Sequence, residues 1–573
     1  MSNKVLQKLP HHLRNFIIEQ PYAQYTAQNQ AVWRYVLRKN VDYLKNIAHE
    51  FYISGLQLTG ISENEIPRME GMNRILEKIG WAAVSVDGFI PPNAFMEFQA
   101  YNTLVIAADI RTAEHLEYTP APDIIHEAAG HAPIIADPEY AEYLRYFGKI
   151  GSKAFSSKND YKIYEAIRHL SILKANPYTP PKHISNAEQQ LSRLSDKSGM
   201  PSEMTLIRNL HWWTVEYGLI GSLDQPKIYG AGLLSSIGES KNALKYAVTK
   251  IPYSIDAMDY GFDITKPQPQ LFVTPNFKQL TKVLDEFADQ MALRTGGLDG
   301  LMKAIESGAT ATIEYSSGLQ ISGTFSDVLI YSGRPIYINT NGPTTLSFKN
   351  EVIKGEGKES HADGYGSPIG KIKGCLKPSR FLSNNELSQI GIEMGKECEF
   401  EFESGIKVSG ILSRIHRKEN VLIMLSFDNC TVKHNRKTLF EPTWGQYDMA
   451  IGESIVSAFS GPADPDGFGL KAEAAEEKTQ KIEYDKQTLK IHSIYNKLHE
   501  IDFISKDADE KLTSLFDDYE ETGQEDWLLL TEMYNMSKNI LVLSNISKSI
   551  FEKLENIKKE NQELSHLIET GII

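Results

Sequence analysis

The sequence has few cysteines, and their positions restrict both disulfide and metal chemistry. The three are Cys375, Cys398 and Cys430, all in the C-terminal half of the 573 residues. A small, odd number does not suit a disulfide framework, so we expect reduced thiols and a cytoplasmic protein. The first 374 residues contain no cysteine. Any metal ion held there must therefore use nitrogen and oxygen ligands.

Long apolar runs and an excess of positive charge are also missing. No stretch approaches the roughly 20 apolar residues that span a bilayer, so we expect no membrane association. The N-terminal residues contain neither an apolar core nor a small-residue cleavage site, which predicts no signal peptide. The formal net charge is -14. Such an acidic chain has no general electrostatic attraction for nucleic acid, which leaves only the case of a local basic patch.

The length predicts several domains, because 573 residues exceed what one hydrophobic core organises. Residues 1–300 are expected to be mainly helical, with apolar residues at helical spacing around Trp33, Val36 and Leu37. The polar, Lys- and Ser-rich stretch at about 151–205 is interpreted as a partly helical surface insertion within this region.

A β-rich region is expected at 301–460, where short alternating runs are bounded by glycine and serine. It contains a weak internal repeat, because residues 313–323 resemble residues 400–410. Both copies predict a hairpin that turns near Ser-Gly. Two similar β modules would explain the repeat, and chance similarity between two hairpins is the alternative.

Residues 461–480 predict a linker, and residues 481–573 a helical C-terminal region. Its last part has a short heptad seam with one polar position: Ile550, Leu554, Ile557, Asn561, Leu564 and Ile568. The seam indicates either an amphipathic helix within its own domain or an intermolecular coiled coil, so a homo-oligomer through these helices is one hypothesis. The expected fold class is multidomain: mainly α-helical, then β-rich, then helical.

The strongest chemical feature is the run from Pro122 to His131, with histidines at 126 and 131. Zinc proteases place their two histidines four residues apart, on one helix face. Histidines five apart diverge by roughly 140° on a regular helix. They converge only if the helix ends or distorts, which Gly130 and Pro133 would permit.

Two imidazoles and one carboxylate would form a facial triad that leaves three positions open on iron(II). Glu127 adjoins His126 and would point elsewhere on a regular backbone. Glu216 lies in an aromatic, apolar run, where a carboxylate is costly unless paired, hydrogen-bonded or bound to metal. Capping or hydrogen-bonded buried histidines remain the alternative, and spacing alone does not decide between them.

At these residues the sequence resembles the pterin-dependent aromatic amino acid hydroxylases. The similarity covers roughly residues 20 to 297, and its segments occur in the family's order: Tyr118–Ile135, Trp212–Leu219, Tyr229–Glu239 and Gln268–Val273. The resemblance implies that the helical region is a catalytic domain of the aromatic amino acid hydroxylase type. The β-rich and helical regions that follow are not explained by it.

The resemblance also implies roles for the matching residues. His126, His131 and Glu216 resemble the iron ligands. Substrate binding is implied for Arg111, which would pair with the substrate carboxylate, and for Thr119, Trp212 and Ser235. Pterin binding is implied for Phe95, with plain core packing as its alternative, and for Glu127. Glu127 and Ser235 are the remaining candidates for catalytic roles. His211 stands where the animal enzymes have tyrosine.

The implied activity is an iron(II)- and tetrahydrobiopterin-dependent (or related tetrahydropterin-dependent) monooxygenase. It would hydroxylate a free aromatic amino acid with O2, with phenylalanine converted to tyrosine as the first expectation. Ile264 is apolar, which suits an unsubstituted ring but also resembles the tryptophan enzymes. Tryptophan hydroxylation is therefore the alternative within the family. A metal-dependent hydrolase and a sensing or assembly protein on a hydroxylase-like core are alternatives from other classes.

Overall fold

The computed structural model describes residues 3–116, 122–175, 179–195, 199–262, 267–471 and 484–572. Two residues with expected roles, Thr119 and Ile264, lie outside these ranges. Residues 472–480 of the expected linker lie outside them as well. Within the described ranges, no helix combines the length and apolar character needed to cross a membrane.

Helices dominate the described residues up to about 300. The α-helices are His11–Arg14, Ala27–Leu44, Phe51–Leu58, Met69–Leu76, Pro92–Ala100, Ala132–Ile134, Pro138–Gly151, Lys158–Ala175, Pro181–Ser195, Glu203–His211, Ala231–Leu234, Ile237–Ala243, Phe277–Ala288, Ala292–Thr295 and Gly297–Ser307. Two further segments, Ile125–His131 and Trp212–Glu216, are π-helices. The described residues up to about 300 are thus mainly helical, as the sequence predicts.

The Ala27–Leu44 helix illustrates why these segments are helical. Thr26 caps its start by accepting a hydrogen bond from the Asn29 backbone N–H at 3.1 Å, and the Asn29 side chain accepts one from the Thr26 backbone N–H at 2.9 Å. This reciprocal arrangement satisfies amide groups that a helix start leaves unpaired. Trp33 and Leu37, four residues apart, are both fully buried. The capped end and the apolar face together fix the helix on the core.

Two small sheets accompany the helices. In the first, Ile17–Ile18 pairs antiparallel with Ala82–Val86, which pairs parallel with Thr103–Ala107. In the second, the described strand order is Pro226–Ile228, Leu219–Gly221, Gln270–Thr274 and Thr249–Pro252. The strand at 219–221 begins directly after the second π-helix, so this sheet anchors the C-terminal end of that helix.

The β-rich region contains two antiparallel sheets. The first comprises Thr310–Tyr315, Leu319–Tyr331, Arg334–Phe348, Glu351–Val352, Gly364–Pro368 and Ile455–Ser460. The second comprises Glu397–Glu401, Ile406–Lys418, Val421–His434, Lys437–Phe440 and Tyr447–Ala450. The three cysteines are buried free thiols in this region. A cytoplasmic location stays a prediction.

Each copy of the sequence repeat forms an antiparallel hairpin. Gly318 turns the first with φ of +85°, and Gly405 turns the second with φ of +84°. These are left-handed backbone angles that glycine adopts without steric cost. The region also contains short α-helices at Asn384–Gln389 and Pro465–Phe468 and 3-10 helices at Ser379–Phe381 and Pro442–Trp444. Part of the expected linker is thus ordered, since Asp464 accepts a hydrogen bond from the Val352 backbone N–H at 3.0 Å.

The C-terminal region is helical, with helices Lys486–Glu500, Ala508–Thr522, Trp527–Ser537, Ser544–Glu560 and Gln562–Gly571. The heptad seam does not run through one helix, because Asn561 has an extended backbone between the last two. Ile550 and Leu554 are fully buried within this chain, in the core cluster that also contains Trp33 and Leu37. These seam residues are therefore used inside the chain, and a domain boundary at about 480 stays a prediction.

Candidate metal centre

The helix from Ile125 to His131 is distorted in a way that brings His126 and His131, five residues apart, onto the same side. It is a π-helix, in which the backbone hydrogen bond runs from residue i to residue i+5, so residues five apart lie one above the other. Pro133 has no N–H to donate back to Ala129, which removes one α-helical hydrogen bond. A side chain at Gly130 would place its Cβ 2.7 Å from the Ala231 carbonyl oxygen, so only glycine allows the neighbouring helix this close.

The segment that carries Glu216 has the same construction. The Glu203–His211 helix continues as the π-helix Trp212–Glu216, and the Tyr217 N–H donates to the Trp212 carbonyl, five residues back, at 2.8 Å. The Thr214 hydroxyl donates to the Leu210 carbonyl at 2.6 Å, a contact that competes with helical hydrogen bonding and bends helices.

The two π-helices bring His126, His131 and Glu216 together. The Nε2 atoms of the two histidines are 3.3 Å apart. Glu216 Oε2 lies 3.2 Å from His126 Nε2, and Glu216 Oε1 lies 3.3 Å from His131 Nε2. Ligands on one face of an octahedral ion, each about 2.1 Å from it, are separated by about 3 Å. Two imidazole nitrogens and one carboxylate group at these separations fit a facial triad.

The triad is largely closed to solvent. The exposed fractions of the side chains are 15% for His126, 3% for His131 and 12% for Glu216. Burial alone would raise the pKa of Glu216, but His131 and His126 outweigh it and hold that pKa well below its usual range. The carboxylate is therefore ionised between two imidazoles, which is the state that binds a cation.

A hydrogen-bonded chain orients the first histidine. His126 Nδ1 lies 3.0 Å from Ser235 Oγ, which leaves Nε2 to face the triad. The His126 backbone N–H donates to Asp123 Oδ1 at 3.0 Å. Asp123 in turn holds Arg111, whose Nε and Nη2 each donate to the carboxylate at 2.8 Å. Sequence reasoning assigned no role to Asp123, and its position directly before the histidine motif was the available signal.

Arg111 lies beside the triad, but its guanidinium is already engaged. Besides the two hydrogen bonds to Asp123, its Nη1 donates to the Ser235 carbonyl at 3.3 Å. The side chain is 0% exposed. The arginine holds the pKa of Asp123 below its usual range in spite of burial. Its expected pairing with a substrate carboxylate stays a prediction.

Glu127 lies beside the second histidine of the triad. Its Oε2 is 3.6 Å from His131 Nε2. The two residues are four apart, a spacing that places side chains on one face even of a regular helix. Burial, with smaller effects from the Glu216 and Asp123 charges, raises the pKa of Glu127 to about 8.

His211 and Phe95 form the other side of the centre. His211 Nδ1 lies 3.8 Å from Glu216 Oε1, and burial lowers the pKa of His211 to about 4. The Phe95 ring meets the His211 ring edge-on, with centroids 5.9 Å apart. His211 is thus a neutral, buried imidazole between Phe95 and the triad carboxylate. Phe95 is half-buried against the core, so both expectations for it remain.

Trp212 belongs to an aromatic stack that sequence reasoning found only in part. Its ring stacks on Phe262 at 4.2 Å and on Tyr217 at 4.5 Å between centroids. Its Nε1 has no hydrogen-bond partner among the described residues. Phe262 directly precedes residues outside the described ranges, including Ile264. The stack forms an apolar, aromatic wall next to Glu216.

Comparison with known proteins gives a family match and named relatives. Residues 15–162 and 183–295 match the family described as biopterin-dependent aromatic amino acid hydroxylase. A phenylalanine-4-hydroxylase of Pseudomonas aeruginosa is 28% identical over 284 residues, covering 48% of this chain and 90% of that protein. One from Chromobacterium violaceum is 27% identical over 275 residues, covering 48% of this chain and 78% of that protein.

Among solved structures, one of the Chromobacterium violaceum enzyme, described as containing iron (III) and oxidised 7,8-dihydrobiopterin, is 24% identical. It covers 51% of this chain and 94% of that chain, with a TM-score of 0.38. The family match ends at residue 295, before the helix Gly297–Ser307 and the β-rich region that follows it. The matched N-terminal half, residues 15–162 and 183–295, therefore belongs to the biopterin-dependent aromatic amino acid hydroxylases.

Proposed function

We propose that this chain is an iron(II)- and tetrahydropterin-dependent monooxygenase that hydroxylates free phenylalanine to tyrosine with O2. The observation that carries the proposal is the convergence of His126, His131 and Glu216 at separations of 3.2–3.3 Å. A donor set of two imidazoles and one carboxylate fits iron(II) and leaves positions for other reactants. When bound, iron(II) and the reduced pterin supply the activation of O2.

The protein's own side chains would bind and orient the reactants. His126, His131 and Glu216 would hold the iron, and Ser235 would keep the His126 ring turned so that Nε2 faces it. Glu127, 3.6 Å from His131 Nε2, is proposed to lie near both iron and pterin. The half-buried Phe95 ring offers a stacking surface for the pterin.

The substrate would be held by an aromatic wall and an arginine. The stacked rings of Trp212, Phe262 and Tyr217 would form an apolar border for an unsubstituted substrate ring. Arg111 would release its contact with the Ser235 carbonyl and use Nη1 for the substrate carboxylate, while Asp123 keeps the guanidinium in place. Thr119 is proposed to assist there. The names of the relatives, phenylalanine-4-hydroxylases, support phenylalanine as the first candidate.

Product analysis tests the reaction and the substrate together. The full chain is loaded anaerobically with iron(II), and O2, tetrahydrobiopterin and one amino acid are then added. We expect tyrosine from phenylalanine, and no product when either iron or pterin is omitted. Zinc-dependent activity without pterin would contradict the reaction. Tryptophan turnover far above phenylalanine turnover would contradict the substrate.

The variant Glu216→Gln tests the triad directly. Removing the charged oxygen should lower bound iron and turnover by more than the roughly 10–100-fold lost when only an orienting group is removed. The matched control is Glu286→Gln, an exposed carboxylate on the Phe277–Ala288 helix, which should retain both. Unchanged iron content in Glu216→Gln would contradict the proposed ligand set.

A further inference from the structure

A second group of metal-ligating side chains lies in the β-rich region, outside the family match. It comprises Glu356 and His361, in the loop between Glu351–Val352 and Gly364–Pro368, and Asp448, on the Tyr447–Ala450 strand. One ligand atom from each lies within 4.8 Å of the other two. The loop belongs to the first sheet and the strand to the second, so the group forms where the two sheets meet.

All three side chains are removed from solvent. The exposed fractions are 1% for Glu356, 7% for Asp448 and 8% for His361. Glu356 Oε2 lies 3.1 Å from His361 Nε2. Glu356 Oε1 is buried and has no hydrogen-bond partner among the described residues. A carboxylate oxygen in that position is costly unless a charge or a metal ion compensates it.

The neighbouring cation compensates these carboxylates only weakly. Arg414 Nη1 lies 3.9 Å from Glu356 Oε1, and its Nη2 lies 3.7 Å from Asp448 Oδ1. The arginine side chain is 46% exposed and also hydrogen-bonds the Gln446 side chain. The Ser426 hydroxyl donates a hydrogen bond to Asp448 Oδ1. The two carboxylates are thus buried beside one distant, partly solvated guanidinium.

Backbone hydrogen bonds fix the two loop residues in this arrangement. The Glu356 carbonyl accepts from the Leu346 N–H at 3.0 Å, and the His361 carbonyl accepts from the Thr344 N–H at 3.0 Å. The His361 ring also packs edge-on against Tyr365, with centroids 5.2 Å apart. The ligand atoms are therefore held together by the fold itself, which is what a metal site requires before the ion arrives.

We propose that Glu356, His361 and Asp448 bind a divalent transition-metal ion of the zinc or manganese class. One imidazole nitrogen and two carboxylate oxygens suit such an ion, whereas Mg²⁺ and Ca²⁺ favour oxygen ligands throughout. The ion neutralises both buried carboxylates and satisfies Glu356 Oε1. It also connects the loop of the first sheet to a strand of the second, so its binding stabilises the β-rich region.

The test uses the full-length chain with the N-terminal triad disabled by His126→Ala and Glu216→Gln. In this background we expect one Zn²⁺ bound per chain by calorimetric titration, and a rise in melting temperature that grows with free Zn²⁺. Adding Glu356→Gln or Asp448→Asn should abolish both. The matched control is Glu359→Gln, an exposed carboxylate three residues from Glu356, which should retain both.

Two results would overturn the proposal: no stoichiometric Zn²⁺ binding in the background variant, or undiminished binding after Glu356→Gln. Misfolding is separated from ligand loss by melting without metal. Glu356→Gln removes a buried charge, so its metal-free melting temperature should equal or exceed that of the background variant. Because the triad is disabled in every sample, failure here leaves the proposed hydroxylase activity unaffected.

Discussion

At the scale of single residues, the first histidine of the triad is oriented by a neighbour outside the ligand set. This neighbour is Ser235, whose Oγ lies 3.0 Å from His126 Nδ1 while its carbonyl accepts from Arg111 Nη1. One residue thus connects the first histidine to the buried Arg111–Asp123 pair. Groups of this kind fix the tautomer and the ring orientation of a ligating histidine.

We predict that Ser235→Ala weakens iron binding without unfolding the protein. The alanine removes the hydroxyl at His126 Nδ1, so the ring loses its fixed orientation, and iron affinity should fall by roughly 10–100-fold. Iron titration of the apoprotein, followed by colorimetric assay, measures this. Ser222→Ala, at an exposed position, is the control and should bind iron as the parent protein does. Equal affinities in the two variants would refute an orienting role.

Sequence reasoning about these residues reached the donor types but not their contacts. Without cysteine before residue 375, it left only nitrogen and oxygen donors for the N-terminal region. It did not find that the Arg111 guanidinium donates two hydrogen bonds to the Asp123 carboxylate, because that pairing depends on where two loops meet.

At the scale of elements, both segments that carry the candidate ligands contain a π-helix. His126 and His131 are five residues apart on one π-helix, and His211 and Glu216 are five apart across the other. In each case, the wider turn aligns side chains that an α-helix would separate. π-Helical turns are rare and often occur at functional sites. The requirement for a distortion was readable from the spacing, whereas its π-helical form was not.

We predict that Gly130→Ala destabilises the protein and weakens iron binding. The new Cβ would lie 2.7 Å from the Ala231 carbonyl oxygen and 3.1 Å from the Ala231 Cβ, so the π-helix must move away from its neighbour. Overpacking of this kind costs about 1–3 kcal/mol. Thermal unfolding and iron titration measure the two effects.

The matched control for this change is Gly71→Ala. Gly71 lies within the Met69–Leu76 helix, and an added Cβ there would meet nothing within 4 Å. Alanine in an open helical position stabilises a protein by about 0.4–1 kcal/mol, so this variant should melt at the same or a higher temperature. Equal melting temperatures for the two variants would contradict the proposed close approach at Gly130.

At the scale of the whole molecule, the C-terminal helices are packed onto the helix Ala27–Leu44 of the N-terminal half. Arg34 donates to both carboxylate oxygens of Glu532, from Nε at 2.6 Å and from Nη2 at 2.8 Å. The Tyr35 hydroxyl donates to the Leu567 carbonyl at 2.7 Å. The helical end and the hydroxylase half therefore share one core, and a cut near residue 300 would expose it.

We predict that Arg34→Met destabilises the protein by about 3–5 kcal/mol, because it leaves the Glu532 carboxylate buried and short of its main partner. The double variant Arg34→Met/Glu532→Leu should recover part of this loss, since neither charge then remains buried. Chemical denaturation of the full chain measures both. The control is Lys497→Met, which breaks an exposed pair with Asp518 and should cost at most about 1 kcal/mol. A loss no larger than the control's would refute the coupling.

The same pair predicts a dependence of stability on pH. Burial acts to raise the pKa of Glu532, but hydrogen bonds and charges from His499 and Arg34 outweigh it, so the folded pKa lies below the ordinary 4.5. A carboxylate with a lowered folded pKa contributes stability that is fully present above about pH 4.5 and is lost as the pH falls through its folded pKa.

The measurement is the difference in the free energy of unfolding between the parent protein and Glu532→Gln at several pH values. This difference should be largest at neutral pH, shrink below about pH 4.5 as the unfolded state takes up a proton, and vanish below the folded pKa, where both side chains are uncharged. A difference that stays constant from neutral to acidic pH would show that the charge of Glu532 contributes nothing.

Local patterns in the sequence were enough to indicate the helical, β-rich and helical succession, the Ser-Gly hairpins, and a nitrogen-and-oxygen site that requires a distorted helix. These features depend on residues close together in the chain, and neighbouring residues govern local backbone geometry. Glu216 follows His131 by 85 positions, and Glu532 follows Arg34 by 498. Only tertiary packing decides such contacts, because burial and approach across the core select one partner among many chemically equivalent residues.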